Sequence, residues 1–213
     1  MSCCCPHSKS GGRLFSFFAR SYRRRFSKKG FEPSQQQLMQ GIEQAGYQGA
    51  TLLEVGSGVG YLHQALLAQG AKSAIGIDLA PDMLKEAQDW AEEKGLADRV
   101  QYIQGDFIEL LDQVDVADVT ILDKVVCCYP HPELLVPHSV NKTKHVYALT
   151  YPRDRWFTKV AMEIMAFFLK LSGSDFRAYV HSPENIERWI LDAGFKKAYQ
   201  QQTFIWLSQI YTK

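Results

Sequence analysis

Residues 51–62 read Thr51-Leu52-Leu53-Glu54-Val55-Gly56-Ser57-Gly58-Val59-Gly60-Tyr61-Leu62, and this stretch decides the fold. A short apolar run of strand type ends in three glycines at alternate positions, and a helical pattern continues through Leu66 and Leu67. Strand, glycine turn, helix is a layout that brings a backbone close to a nucleotide. Glycine has no Cβ, so the turn can be tight and a ligand can rest against main-chain N–H groups. The dinucleotide fingerprint wants glycines in the first, third and sixth places. Here the sixth place is Tyr61, and the third glycine falls one residue early. Glu54 adds a carboxylate just before the turn, which repels a pyrophosphate and attracts a cation. This counts against a nicotinamide enzyme. No Gly-Lys-Ser/Thr follows, so the phosphate-loop reading fails.

Downstream, strand and helix patterns alternate. A second strand over 72–78 ends in Asp78, about as far beyond the first glycine as the ribose-binding acid of nucleotide folds. A carboxylate accepts from both ribose hydroxyls; the alternative is a surface Asp at a strand end. Leu79 could pack on a base. Pro81 opens a helix to 94 with Met83, Leu84, Ala87 and Ala91 inward. A third strand over 99–104 leads into Gly105-Asp106-Phe107, where Asp106 could cap a helix over 107–111. A fourth strand over 117–122 emerges as Asp123-Lys124-Val125-Val126-Cys127-Cys128-Tyr129-Pro130. Helical residues 131–144, a fifth strand over 146–151 and a helix from Trp156 to about 171 follow. An extended piece over 176–181 precedes a helix over 184–193 closed by Gly194. Two final strands, 195–201 and 204–211, put one antiparallel strand into an otherwise parallel sheet. Ligands of such sheets sit outside the carboxyl ends of the strands, so residues 123–130 should line a site.

Upstream, residues 1–12 form a Cys/Ser/Gly-rich tail. Cys3, Cys4, Cys5 and His7 could bind a soft metal, although zinc sites usually space their thiols as Cys-x-x-Cys; the other reading is an unstructured reducible tail. Residues 13–29 read as a helix with Leu14, Phe17, Phe18, Tyr22 and Phe26 on one face and Arg20, Arg23, Arg24, Lys28 and Lys29 elsewhere. It could touch an acidic membrane surface or an anionic substrate, or expose a solvated basic face. Pro33 breaks the chain, and Ser34 caps a helix over 35–45. The chain thus divides into an N-terminal segment, 1–33, and a domain, 34–213.

The whole is 213 residues with a net charge of +1, which argues against nucleic acid as a partner. The charge is uneven, with eight Lys/Arg and no Asp/Glu in residues 1–31. The most apolar helix, 160–171, holds Glu163 and Lys170 and is too short to span a bilayer. With no apolar signal segment, a cytoplasmic protein is expected. Five cysteines, three of them consecutive, do not form a secreted disulfide framework.

The glycine turn with its preceding acid resembles the first motif of class I S-adenosylmethionine (SAM)-dependent methyltransferases. That resemblance implies a doubly wound, mostly parallel seven-stranded α/β sheet with one antiparallel strand near the C-terminus. It implies SAM as cofactor. Gly56, Gly58 and Gly60 would pass under its methionine part. Glu54 would order the turn or hold the amino group, Asp78 would take the ribose and Leu79 the adenine. Asp106 would take the adenine amino group with Phe107 flanking the ring, and Asp123 would join the cofactor site. The N-terminal helix would be a lid. From about residue 34 onward the chain also resembles magnesium-protoporphyrin IX O-methyltransferases, through Ile121-Leu122-Asp123, Tyr129-Pro130, Tyr151-Pro152-Arg153 and Arg177-Ala178-Tyr179-Val180-His181. Lys124 and Cys127-Cys128 depart from that group.

Methyl transfer from SAM is an in-line displacement, so the protein mainly orients and desolvates its reactants. No metal is required. A carboxylate or thiolate acceptor would need no base; a hydroxyl or amine could use Tyr129, His131 or His181. Arg153, Arg155 and Arg177 could clamp an anionic small molecule and Trp156 could stack on a flat one; surface ion pairs and packing are the alternatives. Cys127 and Cys128, with Cys3, Cys4 and Cys5, could instead bind a soft metal or metalloid. The rival to the enzyme is therefore a thiol protein of the same fold that binds SAM or metal without transfer.

Overall fold

The computed structural model describes residues 6–171 and 173–213, with side chains from residue 10 onward. Cys3, Cys4 and Cys5 lie outside the described residues. The strands are β1 (Thr51–Val55), β2 (Ser73–Asp78), β3 (Val100–Gln104), β4 (Ala117–Asp123), β5 (Thr143–Pro152), β6 (Lys196–Gln202) and β7 (Trp206–Thr212). They form one seven-stranded sheet in the order β3-β2-β1-β4-β5-β7-β6. β1 to β5 run parallel, and β7 lies antiparallel between β5 and β6.

Period-two alternation along the central strands assigns side chains to the two faces. Leu52, Val119, Ile121, Val146 and Ala148 meet Leu38 and Ile42 of α2 (Pro33–Ala45) and Leu62 and Leu66 of α3 (Tyr61–Ala68). Leu53, Leu122, Tyr147 and Leu149 face the opposite way, toward Leu135 of α5 (Pro132–Asn141) and Ile186 and Ile190 of α7 (Pro183–Asp192). A fully buried leucine of this kind contributes about 1.5–3 kcal/mol. The strand order reverses between β1 and β4, so the carboxyl ends of those two strands diverge into a crevice.

Several boundaries differ from those the sequence predicts. The first helix, α1 (Pro6–Lys29), begins seven residues early and takes in Gly11 and Gly12. Its inward stripe is Phe15, Ala19 and Phe26, whereas Phe17 is 82% exposed and Tyr22, although it borders the cavity, is 41% exposed. Arg23 explains the rotation: it bonds Glu86 at 3.0 Å and lies over the Trp90 ring, docking α1 on α4 (Pro81–Glu93). Phe26 stacks on Tyr61 at 3.8 Å. Helix α2 starts at Pro33, and its cap is Glu32, not Ser34. Glu32 and Gln35 form a reciprocal capping box, while Ser34 is buried. No helix forms over 107–111. Asp106 instead holds a turn, accepting from the Ile108 N–H at 3.0 Å, before a 3-10 turn over Leu111–Gln113. Trp156–Leu171 is a helix, α6, with Thr158 as its one buried residue.

Candidate cofactor and acceptor site

A cavity of about 910 Å³ fills the crevice above β1 and β4 and runs beneath α1. The glycine turn forms its floor. Gly56, Gly58 and Gly60 all have left-handed φ, at 67°, 53° and 77°, which an L side chain adopts only at a cost. A Cβ on Gly56 would lie 2.2 Å from Val125 Cγ2, so the β1 turn and the β4 loop touch backbone to side chain. A Cβ on Gly58 would meet nothing within 4 Å; this glycine leaves a cradle open.

Asp78 ties that cradle to β2. Its Oδ2 accepts from the Gly58 N–H at 2.8 Å and its Oδ1 from the Ala80 N–H at 2.8 Å. Burial pushes its carboxyl above the ordinary range, against the pull of those bonds. Glu54, also buried, accepts from His63 Nδ1 at 2.6 Å and from the His63 backbone N–H at 3.3 Å. The acid before the glycines therefore orders the first turn of α3. His63 Nε2 lies 3.0 Å from the Tyr102 hydroxyl. Burial also raises the Glu54 carboxyl, with His63 pulling the other way. The buried histidine was not legible as a partner, because His63 stands within a run of helix formers.

Leu79, Asp106 and Phe107 border the cavity beyond Asp78. Tyr129 donates to Asp106 Oδ1 at 2.7 Å, joining the β3 turn to the β4 loop. Asp123 ends β4 at the centre of the cavity wall, and its Oδ2 accepts from Gln35 of α2 at 2.8 Å. Burial raises this carboxyl too. Lys124 has a left-handed φ of 59°, the one non-glycine with positive φ among the described residues. Its Nζ bonds Glu32 Oε2 at 2.5 Å, and Arg25 pairs with the same carboxylate. Arg25, Lys124 and Glu32 all line the cavity.

The remaining candidates divide. Tyr129 and His131 line the cavity. His131 is exposed and pairs with Glu133 at 3.1 Å. His181 does not line it; it bonds the Tyr129 carbonyl at 3.0 Å and so supports the β4 loop. Cys128 borders the cavity and Cys127 is buried behind it, their sulfurs 3.8 Å apart and both turned to the Lys124 carbonyl. Among the described residues no three His, Cys, Asp or Glu side chains group as metal ligands. The expected anion clamp is not at the cavity. Arg153 bonds the Thr203 carbonyl at 3.0 Å, Arg155 is exposed, Arg177 pairs with Glu163, and Trp156 is 77% exposed. All four lie along the start of α6 or on the 176–181 segment, and none borders the cavity. Arg25 and Lys124 supply its positive charge instead. Helical phase brings the exposed Arg25 to the cavity rim, and the strained β4 turn aims Lys124.

The residues fit S-adenosylmethionine. The open cradle at Gly58 admits a close approach, Asp78 stands at the end of β2, and apolar Leu79 and Phe107 line the cavity beyond it. The buried hydroxyls of Ser57 and Tyr61, both bordering the cavity, have no hydrogen-bond partner among the described residues. Glu32, Glu54, Asp78, Asp106, Glu109 and Asp123 outnumber Arg25 and Lys124 on the wall, and a cationic ligand such as a sulfonium would draw the buried carboxyls among them into their charged form.

Residues 52–141 match the methyltransferase domain family. The fold resembles that of magnesium protoporphyrin IX methyltransferase from Synechocystis PCC 6803, solved with bound SAH, with a TM-score of 0.72 at 19% identity over 97% of this chain and 99% of that one. It also resembles an O-methyltransferase family 2 protein from Planctomyces limnophilus in complex with apigenin, with a TM-score of 0.67 at 23% identity over 95% of this chain and 61% of that one. In sequence, a ribosomal protein L11 methyltransferase of Pasteurella multocida (strain Pm70) is 36% identical over 72 residues, which are 34% of this chain and 25% of that protein. The chain spans about a quarter to a third of the length of the curated relatives it matches. The fold is thus that of the SAM-dependent methyltransferases it resembles, and residues 52–141 carry a methyltransferase-domain sequence on it.

Proposed function

We propose that the protein transfers a methyl group from S-adenosylmethionine to a small molecule bound beneath α1. The observation that carries this reading is the continuity of the cavity. One cavity is lined both by the glycine turn and by Phe15, Tyr22, Phe26 and Phe176, with Cys128 and Tyr129 also on its wall. A roofed chamber of this kind suits a small acceptor better than a folded protein, in contrast to what the name of the L11 methyltransferases says of those proteins. Helix α1 is the lid of this chamber, and the segment 1–33 serves the domain 34–213. The free Cys127 and Cys128 thiols suit a reducing, cytoplasmic setting.

When bound, the cofactor supplies an activated methyl on a sulfonium. The chain's residues do the rest. Asp78 and the glycine turn anchor the donor, Asp106 and Phe107 set its base, and the aromatic roof excludes water. Arg25 and Lys124 hold an anionic group of the acceptor beside Glu32. A carboxylate acceptor needs no base. A hydroxyl acceptor would give its proton to His131 or, through water, to Asp123.

A second reading, a porphyrin-type carboxylate O-methyltransferase, is favoured by one observation: the two cations of the cavity stand beside its aromatic roof. A SAM-binding thiol protein without transfer activity is the non-enzymatic rival. Titration calorimetry with SAM, SAH and NAD on the parent and Asp78→Ala tests the site. Binding of the first two, weakened at least about tenfold in the variant (roughly 1.4 kcal/mol), is expected. Time-dependent SAH release with a panel of carboxylates, phenols and amines tests transfer. SAM binding with no SAH from any acceptor would favour the binding protein.

A further inference from the structure

Helix α6 carries Trp156, Val160, Ile164, Phe167 and Leu171 down one face at helical spacing, with Met165 and Phe168 widening it, and all seven are exposed. Monomers rarely expose apolar surface of that extent without using it. The surface continues past the helix. Phe157 stacks on Phe204 at 4.7 Å, and Phe204 and Ile205 are themselves exposed at the β6–β7 turn. It also approaches α1. Arg177 pairs with Glu163 of α6, while its neighbour Phe176 packs edge-on against Phe15 of α1 at 5.3 Å. On α1, Phe17 and Phe18 are exposed, and Arg13, Arg24 and Lys28 have no acidic partner among the described residues.

We infer that α6, the β6–β7 turn and the exposed side of α1 form a docking surface for an anionic lipid bilayer. The face is rich in Trp and Phe, which settle at the interfacial depth of a membrane. Its α1 edge is basic, with no acidic residue between Pro6 and Lys29. Lys and Arg near an anionic leaflet each add attraction. A second copy seated with α1 on α1 would set cation against cation, since α1 carries no acidic residue, whereas an anionic leaflet meets no such repulsion. No helix among the described residues is long and apolar enough to cross a membrane, so the contact is one of lying on the surface. It stands independently of the methyl-transfer reading.

Sedimentation of the full chain with vesicles tests it. Vesicles of phosphatidylcholine mixed with phosphatidylglycerol should pellet the protein at least about tenfold better than phosphatidylcholine alone, and added salt should weaken the binding. The double variant Phe167→Ser/Phe168→Ser should lose about tenfold or more of that partition while keeping the circular dichroism and melting temperature of the parent. Arg24→Ala/Lys28→Ala should lose the preference for the anionic lipid. The inference is overturned if the parent stays in the supernatant, if the phenylalanine variant pellets like the parent, or if light scattering shows a dimer that the same variant dissolves while vesicles bind neither.

Discussion

Gly56 and Gly58 share a left-handed backbone but differ in their surroundings, and their alanine variants should differ accordingly. At Gly56 a methyl would meet Val125 Cγ2 at 2.2 Å. Gly56→Ala combines that clash with φ strain, and chemical denaturation should show a loss of about 2–4 kcal/mol. At Gly58 the space is open, so Gly58→Ala should lose only about 1 kcal/mol. Yet its methyl enters the cradle, and calorimetry should show SAM affinity falling well beyond what the stability change explains. His63→Ala leaves the Glu54 carboxylate buried without its partner, a change that costs about 3–5 kcal/mol. His63→Gln, which restores a donor, should recover part of it. A far smaller loss for the alanine variant would mean that Glu54 is neutral in the fold. At this scale the sequence showed the glycines and Glu54 by their pattern. It did not show His63, because the bond from α3 back to β1 exists only once the turn is folded.

The entry into α2 is the element whose chemistry responds to pH. Burial works to raise the Glu32 carboxyl, but Lys124 and Arg25 outweigh it and hold it below its ordinary value of 4.5. A folded value below the unfolded one means that this stabilisation is complete above pH 4.5 and is lost as pH falls through the folded value. The melting temperature of Glu32→Gln should therefore fall less on acidification from pH 6 to pH 3.5 than that of the parent; parallel curves would count against the Glu32–Lys124 pair. The same turn shows why the sequence misplaced the cap. Ser34 and Glu32 both precede a helical pattern. Pro33 suits the first helical position, and Gln35 completes the box only with Glu32. The expected clamp of Arg153, Arg155 and Arg177 and the expected stacking Trp156 do not border the cavity, for a related reason. Proximity in sequence to the end of β5 says nothing about which side of the crevice a side chain faces.

Across the whole molecule, Glu54, Asp78 and Asp123 are all pushed up by burial. A folded value above the unfolded one means the folded state binds the extra proton, so these groups withdraw stability as pH rises past their ordinary values. A cationic ligand reverses that penalty. SAM carries the sulfonium charge that SAH lacks, so the thermal shift given by SAM should grow more steeply than that given by SAH as pH rises past those ordinary values. At a hundredfold excess over its dissociation constant, either ligand adds about 2.7 kcal/mol, a shift of roughly 5–10 °C for a domain of this size. The alternation of strand and helix patterns, the glycine turn and the carboxylates at successive strand ends were all written in the sequence, because local periodicity and residue type determine them. The strand order, the rotation of α1 that buries Ala19 and brings Phe15 and Arg25 to the cavity wall, the left-handed Lys124, and the apolar face of α6 left uncovered were decided only by the tertiary structure. Each depends on which distant surface a side chain meets, and periodicity carries no record of that partner.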